Sequence, residues 1–444
     1  MTPRLLSTPS PPAGQARISE ARHLDDQGVV RPAVYLHVGA PKTGTTYLQR
    51  VLDRNRALLR EANVLYAPAE PDEPFRAAVD LRELPWGDES HPQWAGTWQR
   101  LAERAAGWPG KSVISNELLA GATVDQIGEA VTSFDGADVH IVYTLRSLGR
   151  MLPSDWQEQV KHRHAVTWEE YLHDVLDRGA ASELGAWFWG LHDAPVVLAR
   201  WAEVVPADRI HVICVAPKPT SSTALWQQFA RVLDVPPGDY DASSGPANVS
   251  LGALETDFLQ RVNGLTKGFV EHASYGPLVG ELLIRGALRG RPDPMRVLVP
   301  TDRTQVVHER SAQVVRAISA AGYDVIGILD DLTDPRTSET PEQSATADIA
   351  MDLGADVATA LLRRIGEQRD ELAGLRDVLN RQREQIERLG STPIEDLSDS
   401  EHIGRIRRSV RAMSERHQSV MALRRRWWWA VERSRAGKEP ESVD

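Results

Sequence analysis

The sequence has almost no cysteine, since Cys214 is the only one among 444 residues. An intrachain disulfide is therefore excluded, and the composition fits a reducing compartment such as the cytosol. Long apolar runs are also lacking: no stretch of about 18 uninterrupted apolar residues occurs, so a membrane-spanning helix is not expected. We predict a cytoplasmic protein, which could still contact a membrane peripherally through its tail.

Clustered metal ligands and an excess of positive charge are lacking as well. No group of cysteine and histidine residues has metal-ligand spacing, so we predict no metal site. The formal net charge of −11 argues against general nucleic-acid binding. The length leaves room for one large domain, or two ordinary ones, with extensions. Residues 1–31 are rich in Pro, Ser, Ala and charged residues, and we predict that they form a disordered leader.

The most informative stretch begins with Val34, Leu36 and Val38, three apolar residues at every second position. This spacing predicts a short buried strand. The strand should end at Gly39, and a helix should begin near residues 44–46. The free N–H groups at a helix N-terminus and the positive end of the helix dipole attract anions. The stretch therefore predicts a phosphate-binding loop.

The loop nearly matches the phosphate-binding pattern G-x-x-x-x-G-K-[ST]. Gly39 and Gly44 have the required spacing and Thr46 occupies the Ser/Thr position, but Thr45 replaces the lysine that contacts the outer phosphates. The lysine of this loop is Lys42, on its earlier side. One phosphate near the helix fits this pattern, whereas a triphosphate with magnesium does not. The structural alternative is an ordinary strand–turn–helix with a chance lysine.

Strands and helices alternate along residues 32–332, which predicts an α/β domain with a three-layer, P-loop-like parallel sheet flanked by helices. Residues 68–92 contain several prolines and acids and are expected to form a loop. Ligands bind at the carboxyl ends of parallel strands, so Glu117 and Arg146 should lie near the phosphate loop. Further strands are expected at 63–67, 111–117, 138–146 and 209–215, and helices at 94–106, 124–134, 168–177, 183–192, 222–233, 277–288 and 304–321.

A second phosphate-binding pair is predicted after the strand at 138–146. Arg146 ends this strand, and Ser154 follows just after Pro153, at an expected helix start. A guanidinium group and a hydroxyl at a helix N-terminus suit a phosphate. Alternatively, Arg146 pairs with a carboxylate and Ser154 only caps the helix.

Together the two motifs resemble those of sulfotransferases that use 3′-phosphoadenosine 5′-phosphosulfate (PAPS), whose 5′-phosphosulfate loop is similar to Pro41-Lys-Thr-Gly-Thr-Thr46. The resemblance implies PAPS as co-substrate and a fold like that of the bacterial enzymes. It assigns the 3′-phosphate to Arg146 and Ser154. It extends loosely over residues 33–332, although the Arg-x-Gly-Lys loop of the animal cytosolic enzymes has no convincing counterpart. The residues that it assigns to the 5′ side are Lys42, Thr43, Gly44, Thr45 and Thr46.

Sulfuryl transfer to a hydroxyl needs a base, and Glu117 is the candidate. Some carbohydrate sulfotransferases use a glutamate in this role, and burial near anionic PAPS would raise its pKa toward neutrality. Lys42 is placed to neutralise charge on the leaving phosphate. Alternatively, Glu117 caps the next helix or pairs with Arg146. The acceptor is expected to be a hydroxyl, with an amine as second choice, on a carbohydrate, a lipid-linked glycan or another molecule.

Beyond residue 332 the composition changes. A polar linker is expected at 333–346, and a long helix at 347–390 whose apolar residues are spaced alternately by four and three. That spacing is typical of a coiled coil and predicts a homo-oligomer; an amphipathic helix folded onto its own domain is the alternative. Residues 391–444 are rich in arginine and include three consecutive tryptophans. This basic tail fits an anionic membrane surface, or docking onto the enzyme or a partner.

Two other functions fit parts of the pattern. One is a P-loop-type small-molecule kinase, against which the missing lysine at position 45 argues. The other is a membrane-associated coiled-coil scaffold that keeps a degenerate nucleotide domain. A nucleic-acid partner is not expected.

Overall fold

The computed structural model describes residues 31–85, 91–217, 221–243, 251–268, 270–289, 295–334 and 347–390. The predicted basic tail lies outside these residues, as do the predicted leader up to residue 30 and residues 335–346 of the predicted linker. The chain divides into two compact units between Leu361 and Leu362.

A six-stranded, entirely parallel sheet forms the centre of the first unit, with strand order β2-β3-β1-β4-β5-β6. The predicted α/β fold with a helix-flanked parallel sheet is therefore confirmed. The strands are β1 Ala33–Gly39, β2 Val64–Tyr66, β3 Lys111–Ser115, β4 Asp138–Leu145, β5 Ile210–Cys214 and β6 Asp324–Ile326.

Helices connect the strands and cover both faces of the sheet. Within the described residues, no helix is both long and apolar enough to cross a bilayer. The segments His173–Arg178 and Gly276–Leu288 have π-helical geometry. The α-helices are α1 Thr45–Arg54, α2 Arg56–Glu61, α3 Glu73–Leu81, α4 Thr97–Ala106, α5 Val124–Thr132, α6 Leu148–Lys161, α7 Trp168–Leu172, α8 Glu183–His192, α9 Ala194–Ala202, α10 Ala224–Val232, α11 Ala253–Thr266, α12 His272–Tyr275, α13 Thr304–Ala320 and α14 Ala347–Gly390.

β1 lies in the middle of the sheet and is buried on both faces. Val34, Leu36 and Val38 pack into the apolar cluster on one face, whereas Tyr35 packs on the other with residues of α1 and α10. The sequence of a strand that is covered on both faces is a nearly continuous run of apolar residues, and the sequence of β1 has this character. The connections leave β1 and β4 toward opposite sides of the sheet, and ligands bind at such a switch point. This order places the loop after β1 beside the end of β4.

The expected loop at 68–92 is wrong in part, because α3 forms within it. Pro74 lies in the first turn of α3, where the missing N–H of proline breaks no hydrogen bond. Ala77, Ala78 and Leu81 of this helix are buried in the core. The prolines therefore start a helix here instead of preventing one.

The helix α14 confirms that residues 347–390 are helical. In its first part, Leu353 and Val357 are buried in an apolar cluster of the first unit. The part that belongs to the second unit carries exposed apolar residues, among them Ile365, Leu372 and Leu379. The predicted coiled coil stays a prediction.

Candidate active site

The loop after β1 contains positive φ angles, a backbone conformation that glycine adopts more easily than other residues. Gly39, Lys42 and Gly44 all have positive φ, at 136°, 62° and 105°. Gly44 is the N-cap of α1, and a Cβ added there would lie 2.4 Å from Leu225 Cδ2. The positive φ favours glycine at position 44, whereas Leu225 could yield to a Cβ only by moving its side chain. The result is a tight turn at the N-terminus of α1, where N–H groups are available to an anion.

A buried chain of polar side chains anchors this loop to three neighbouring strands. Thr43 donates a hydrogen bond to the Ala40 carbonyl (2.6 Å), and Thr144 on β4 donates to the Gly39 carbonyl (2.8 Å). His37 on β1 bonds Thr144 through Nε2 (3.2 Å) and Ser115 on β3 through Nδ1 (2.8 Å). Burial lowers the pKa of His37 to about 3, so its ring is neutral. The neutral ring links β3 and β4 and holds the loop in place.

Lys42 points away from the buried chain and binds Glu158 on α6, with Nζ 2.8 Å from Oε2. Glu158 also pairs with Lys161 (3.2 Å) and with His162 (Nε2 to Oε1, 3.5 Å). His162, Lys42 and Lys161 together hold the pKa of the Glu158 carboxyl far below its usual value, against the effect of burial. Glu158 was not predicted as a site residue. Its pairing with Lys42 joins residues 116 positions apart, which no local pattern reveals.

Arg146 follows β4 and contacts the loop directly. Its Nη1 donates to the Lys42 carbonyl at 3.2 Å. The structure therefore brings two predicted site residues together, as their positions at neighbouring strand ends implied. Arg150, one turn further along α6, lines the same cavity as Arg146 and was not predicted.

The cavity at this edge of the sheet has a volume of about 720 Å³. This lies within the roughly 300–1,000 Å³ typical of small-molecule sites. None of the described residues that line it is Asp or Glu. It extends from the loop after β1 past the ends of β5 and β6, which suits an elongated polyanion. Its lining includes the cations Lys42, Arg146, Arg150 and Arg231 and the polar residues Thr43, Ser221, Ser222 and Gln228.

Ser154 does not line this cavity, and the helix start predicted at Pro153 is wrong. α6 begins at Leu148, after Ser147 at the N-cap, so Ser154 lies beyond its first turn. Pro153 sits inside the helix, where it removes one hydrogen bond without ending the helix. The Ser154 hydroxyl donates to the Arg150 carbonyl (3.0 Å), an ordinary bond to the preceding turn.

Glu117 follows β3 and is not among the described residues that line this cavity. Its carboxylate interacts with Thr45 and Gln49 of α1, and the charge of Lys42 acts on it. Burial raises the pKa of Glu117 above its usual value, and the effects of Lys42, Thr45 and Gln49 oppose this only in part. Capping of the segment Glu117–Gly121 is done by Asn116, whose side chain accepts from Leu118 N. Glu117 is thus a half-buried carboxylate beside the first turn of α1.

Within the described residues, no three His, Cys, Asp or Glu side chains are grouped so that they could hold a metal ion. The described residues of the site supply a lysine, several guanidinium groups, loop N–H groups and a carboxylate of raised pKa.

Comparison with known proteins gives a sparse result. No protein-family profile and no curated protein matches the chain. The solved structure of a sulfotransferase from Alicyclobacillus acidocaldarius is similar to 55% of this chain and 95% of that one, with 17% sequence identity and a TM-score of 0.31. A likeness of this size carries no argument about function.

Proposed function

We propose that this protein is a sulfotransferase that moves a sulfuryl group from PAPS to a hydroxyl group of an acceptor. The observation that carries the proposal is the large cavity, which brings together the Lys42 loop and the guanidinium groups of Arg146 and Arg150, with no Asp or Glu among its described lining residues. A nucleotide with phosphates at both its 3′ and 5′ positions presents one anion to the loop and one to the arginines. A 5′-triphosphate would concentrate its charge at the loop, where position 45 lacks a lysine.

The chemistry needs mainly positioning and charge stabilisation, because PAPS carries its own activation. The acceptor oxygen attacks sulfur in line while the bond from sulfur to the bridging phosphate oxygen breaks. Adenosine 3′,5′-bisphosphate leaves with the electron pair of that bond. Lys42 and the N–H groups at the start of α1 stabilise the negative charge that develops on the leaving phosphate. Lys42 must break its ion pair with Glu158 in order to contact the phosphate. Lys161 and His162 then remain as partners of the Glu158 carboxylate.

Glu117 is proposed as the general base that takes the proton of the acceptor hydroxyl. Its raised pKa makes it a better base near neutral pH than an exposed carboxylate, provided that it is ionised when the acceptor binds. Its contacts with Thr45 and Gln49 hold it beside the helix that carries the phosphate site.

The first test measures nucleotide binding by isothermal titration calorimetry in EDTA. We expect saturable binding of adenosine 3′,5′-bisphosphate without magnesium. Binding of adenosine 5′-phosphate should be weaker by roughly 10–100-fold, since a hydrogen-bonded charge contact is worth about 1.5–3 kcal/mol. Arg146→Ala should weaken binding of the bisphosphate by a similar factor. It should leave binding of adenosine 5′-phosphate almost unchanged, because removing the arginine and removing the 3′-phosphate abolish the same contact.

The matched control is Arg261→Ala, an exposed arginine on α11 that pairs with Asp257 in the same helix turn. ATP binding that requires magnesium and exceeds that of the bisphosphate would overturn the proposal in favour of a kinase. Once binding is established, incubating extracts with radiolabelled PAPS and identifying the labelled product would name the acceptor.

A further inference from the structure

Gln49 joins Glu117 to the buried chain of polar side chains around His37. It lies on α1 one turn after Thr45, so these two side chains are on the same face of the helix. Its Nε2 donates to the Ser115 carbonyl at 3.1 Å and lies 3.4 Å from Ser115 Oγ. The same side chain also bonds the Glu117 carboxylate. Gln49 therefore connects the end of β3 with the proposed base.

The hydrogen bonds around His37 assign a position to each proton. The Thr144 hydroxyl donates its one proton to the Gly39 carbonyl, so the bond between this hydroxyl and the ring must be donated by His37 Nε2–H. A neutral imidazole has one donor and one acceptor, and Nδ1 is therefore the acceptor. The Ser115 hydroxyl donates its proton to Nδ1 at 2.8 Å. Ser115 Oγ is consequently an acceptor toward Gln49.

Ser115 also fixes the orientation of the Gln49 amide. A backbone carbonyl can only accept, so the NH₂ group of Gln49, and not its oxygen, must face the Ser115 carbonyl. Ser115 Oγ is likewise an acceptor, because its proton is donated to His37. The NH₂ group presents its other proton to the Glu117 carboxylate. The amide therefore cannot turn over without losing bonds on both sides.

Among the described residues, the Glu117 carboxylate accepts hydrogen bonds from three donors: its own backbone N–H, the Thr45 hydroxyl and the Gln49 amide. An ionised carboxylate offers about four acceptor positions, so roughly one remains for the proton of a further hydroxyl. Each of the three donors favours the ionised form, which burial disfavours. These contacts therefore determine which position stays open and how readily the carboxylate ionises.

We propose that Gln49 is a positioning residue, which orients the Glu117 carboxylate toward the acceptor hydroxyl and stabilises its ionised form. Gln49 does not itself react, since its amide only donates to the carboxylate. His37 and Ser115 act one step further away, because they set the orientation of that amide. The role in catalysis rests on the transfer reaction proposed above, whereas the contact between Gln49 and Glu117 can be tested in the unliganded protein.

The ionisation of Glu117 in the unliganded full chain is the first test. Gln49→Met keeps an unbranched side chain of similar length in α1 but has no N–H donor. Carbon-13 NMR of protein labelled at the glutamate carboxyl carbons follows the titration, with the Glu117 signal assigned through Glu117→Gln. We expect the pKa of Glu117 to be higher in Gln49→Met than in the wild type, because one donor to the ionised carboxylate is lost. An unchanged pKa of Glu117 would overturn the proposal.

The pH dependence of activity is the second test. At neutral pH, Gln49→Met should lower kcat/KM for the acceptor by roughly 10-fold, because a hydrogen bond to a charged group is lost. The deficit should shrink as pH rises, since Glu117 then ionises in both proteins. The affinity for adenosine 3′,5′-bisphosphate should stay close to that of the wild type. A loss of activity that is equal at every pH, or weaker nucleotide binding, would indicate a structural role and overturn the proposal.

Two further variants complete the experiment. Gln99→Met is the matched control and should change neither measurement, because the exposed Gln99 donates to Glu103 within α4 (3.1 Å) and does not line the cavity. Ser115→Ala removes the hydroxyl but keeps the carbonyl that holds the amide, so it should raise the pKa of Glu117 by less than Gln49→Met does. A lowered pKa of Glu117 in Ser115→Ala would contradict the assigned bonds.

The two tests also separate this proposal from the proposed function. If the wild type transfers no sulfuryl group from PAPS to any acceptor, the transfer reaction is rejected. The NMR titration needs neither PAPS nor an acceptor, and it still decides whether Gln49 controls the ionisation of Glu117.

Discussion

Replacing Lys42 by methionine is expected to lower the rate constant of sulfuryl transfer by roughly 10²–10³-fold, the usual cost of removing one group that stabilises developing charge. Methionine keeps most of the apolar stem of lysine but not its charge. The proposed contact with the leaving phosphate strengthens as the sulfur–oxygen bond breaks, so kcat should fall more than the affinity for PAPS. The measurement is the rate of bisphosphate release from PAPS with the acceptor found by the labelling screen.

The structure predicts that this variant folds normally. Lys42 and Glu158 are both partly exposed, and pairs of this kind contribute little to stability. Glu158 also keeps Lys161 and His162 as partners. Lys267→Met, an exposed lysine just after α11, controls for the loss of a positive charge and should retain full activity. If Lys42→Met kept more than about a tenth of wild-type activity, its assigned role would be rejected.

Much of the fold follows from local patterns. The alternation of apolar residues predicts β1, and the positions of β3, β4 and β5 agree with their predicted ranges within two residues at either end. The predicted helix at 304–321 is observed as α13, Thr304–Ala320. These elements are predictable because burial against one sheet imposes its own period on each of them.

The two failures have a common cause, the position of proline. The prolines of residues 68–92 suggest a loop and Pro153 suggests a helix start, but proline is compatible with the first turn of a helix, as at Pro74, and can be tolerated within one, as at Pro153. The position of Ser154 within the helix depends on where α6 begins. Because α6 begins at Leu148, the hydroxyl lies beyond the first turn and bonds the Arg150 carbonyl.

The charge arrangement around the candidate site could be predicted only in part. Lys42, Glu117 and Arg146 were identifiable because each follows a strand, and parallel strands end at one edge. Glu158 and Arg231 reach the site from the interior and the end of helices, on faces that only the packing of α6 and α10 determines.

Glu117→Gln is expected to lower kcat/KM for a hydroxyl acceptor by roughly 10²–10⁴-fold, the usual contribution of a general base. The wild-type enzyme should gain activity as pH rises through the raised pKa of Glu117, because only the ionised carboxylate accepts the proton. The glutamine variant should lose this dependence on pH. Its amide oxygen can still accept a hydrogen bond from Thr45, so the affinity for adenosine 3′,5′-bisphosphate should stay close to that of the wild type.

The stability of the protein provides a second test, because it should change with pH in the direction opposite to the activity. A carboxyl whose pKa is raised by folding binds more protons in the folded state, so wild-type stability should fall as pH rises from the unfolded to the folded pKa of Glu117. Glu117→Gln removes a half-buried charge and should be at least as stable as the wild type at neutral pH. Glu129→Gln, an exposed glutamate on α5, should change neither activity nor stability. A glutamine variant that is as active as the wild type, with an unchanged pH profile, would show that Glu117 is not the base. One that is both inactive and less stable would point instead to a structural role in holding α1 and its phosphate loop.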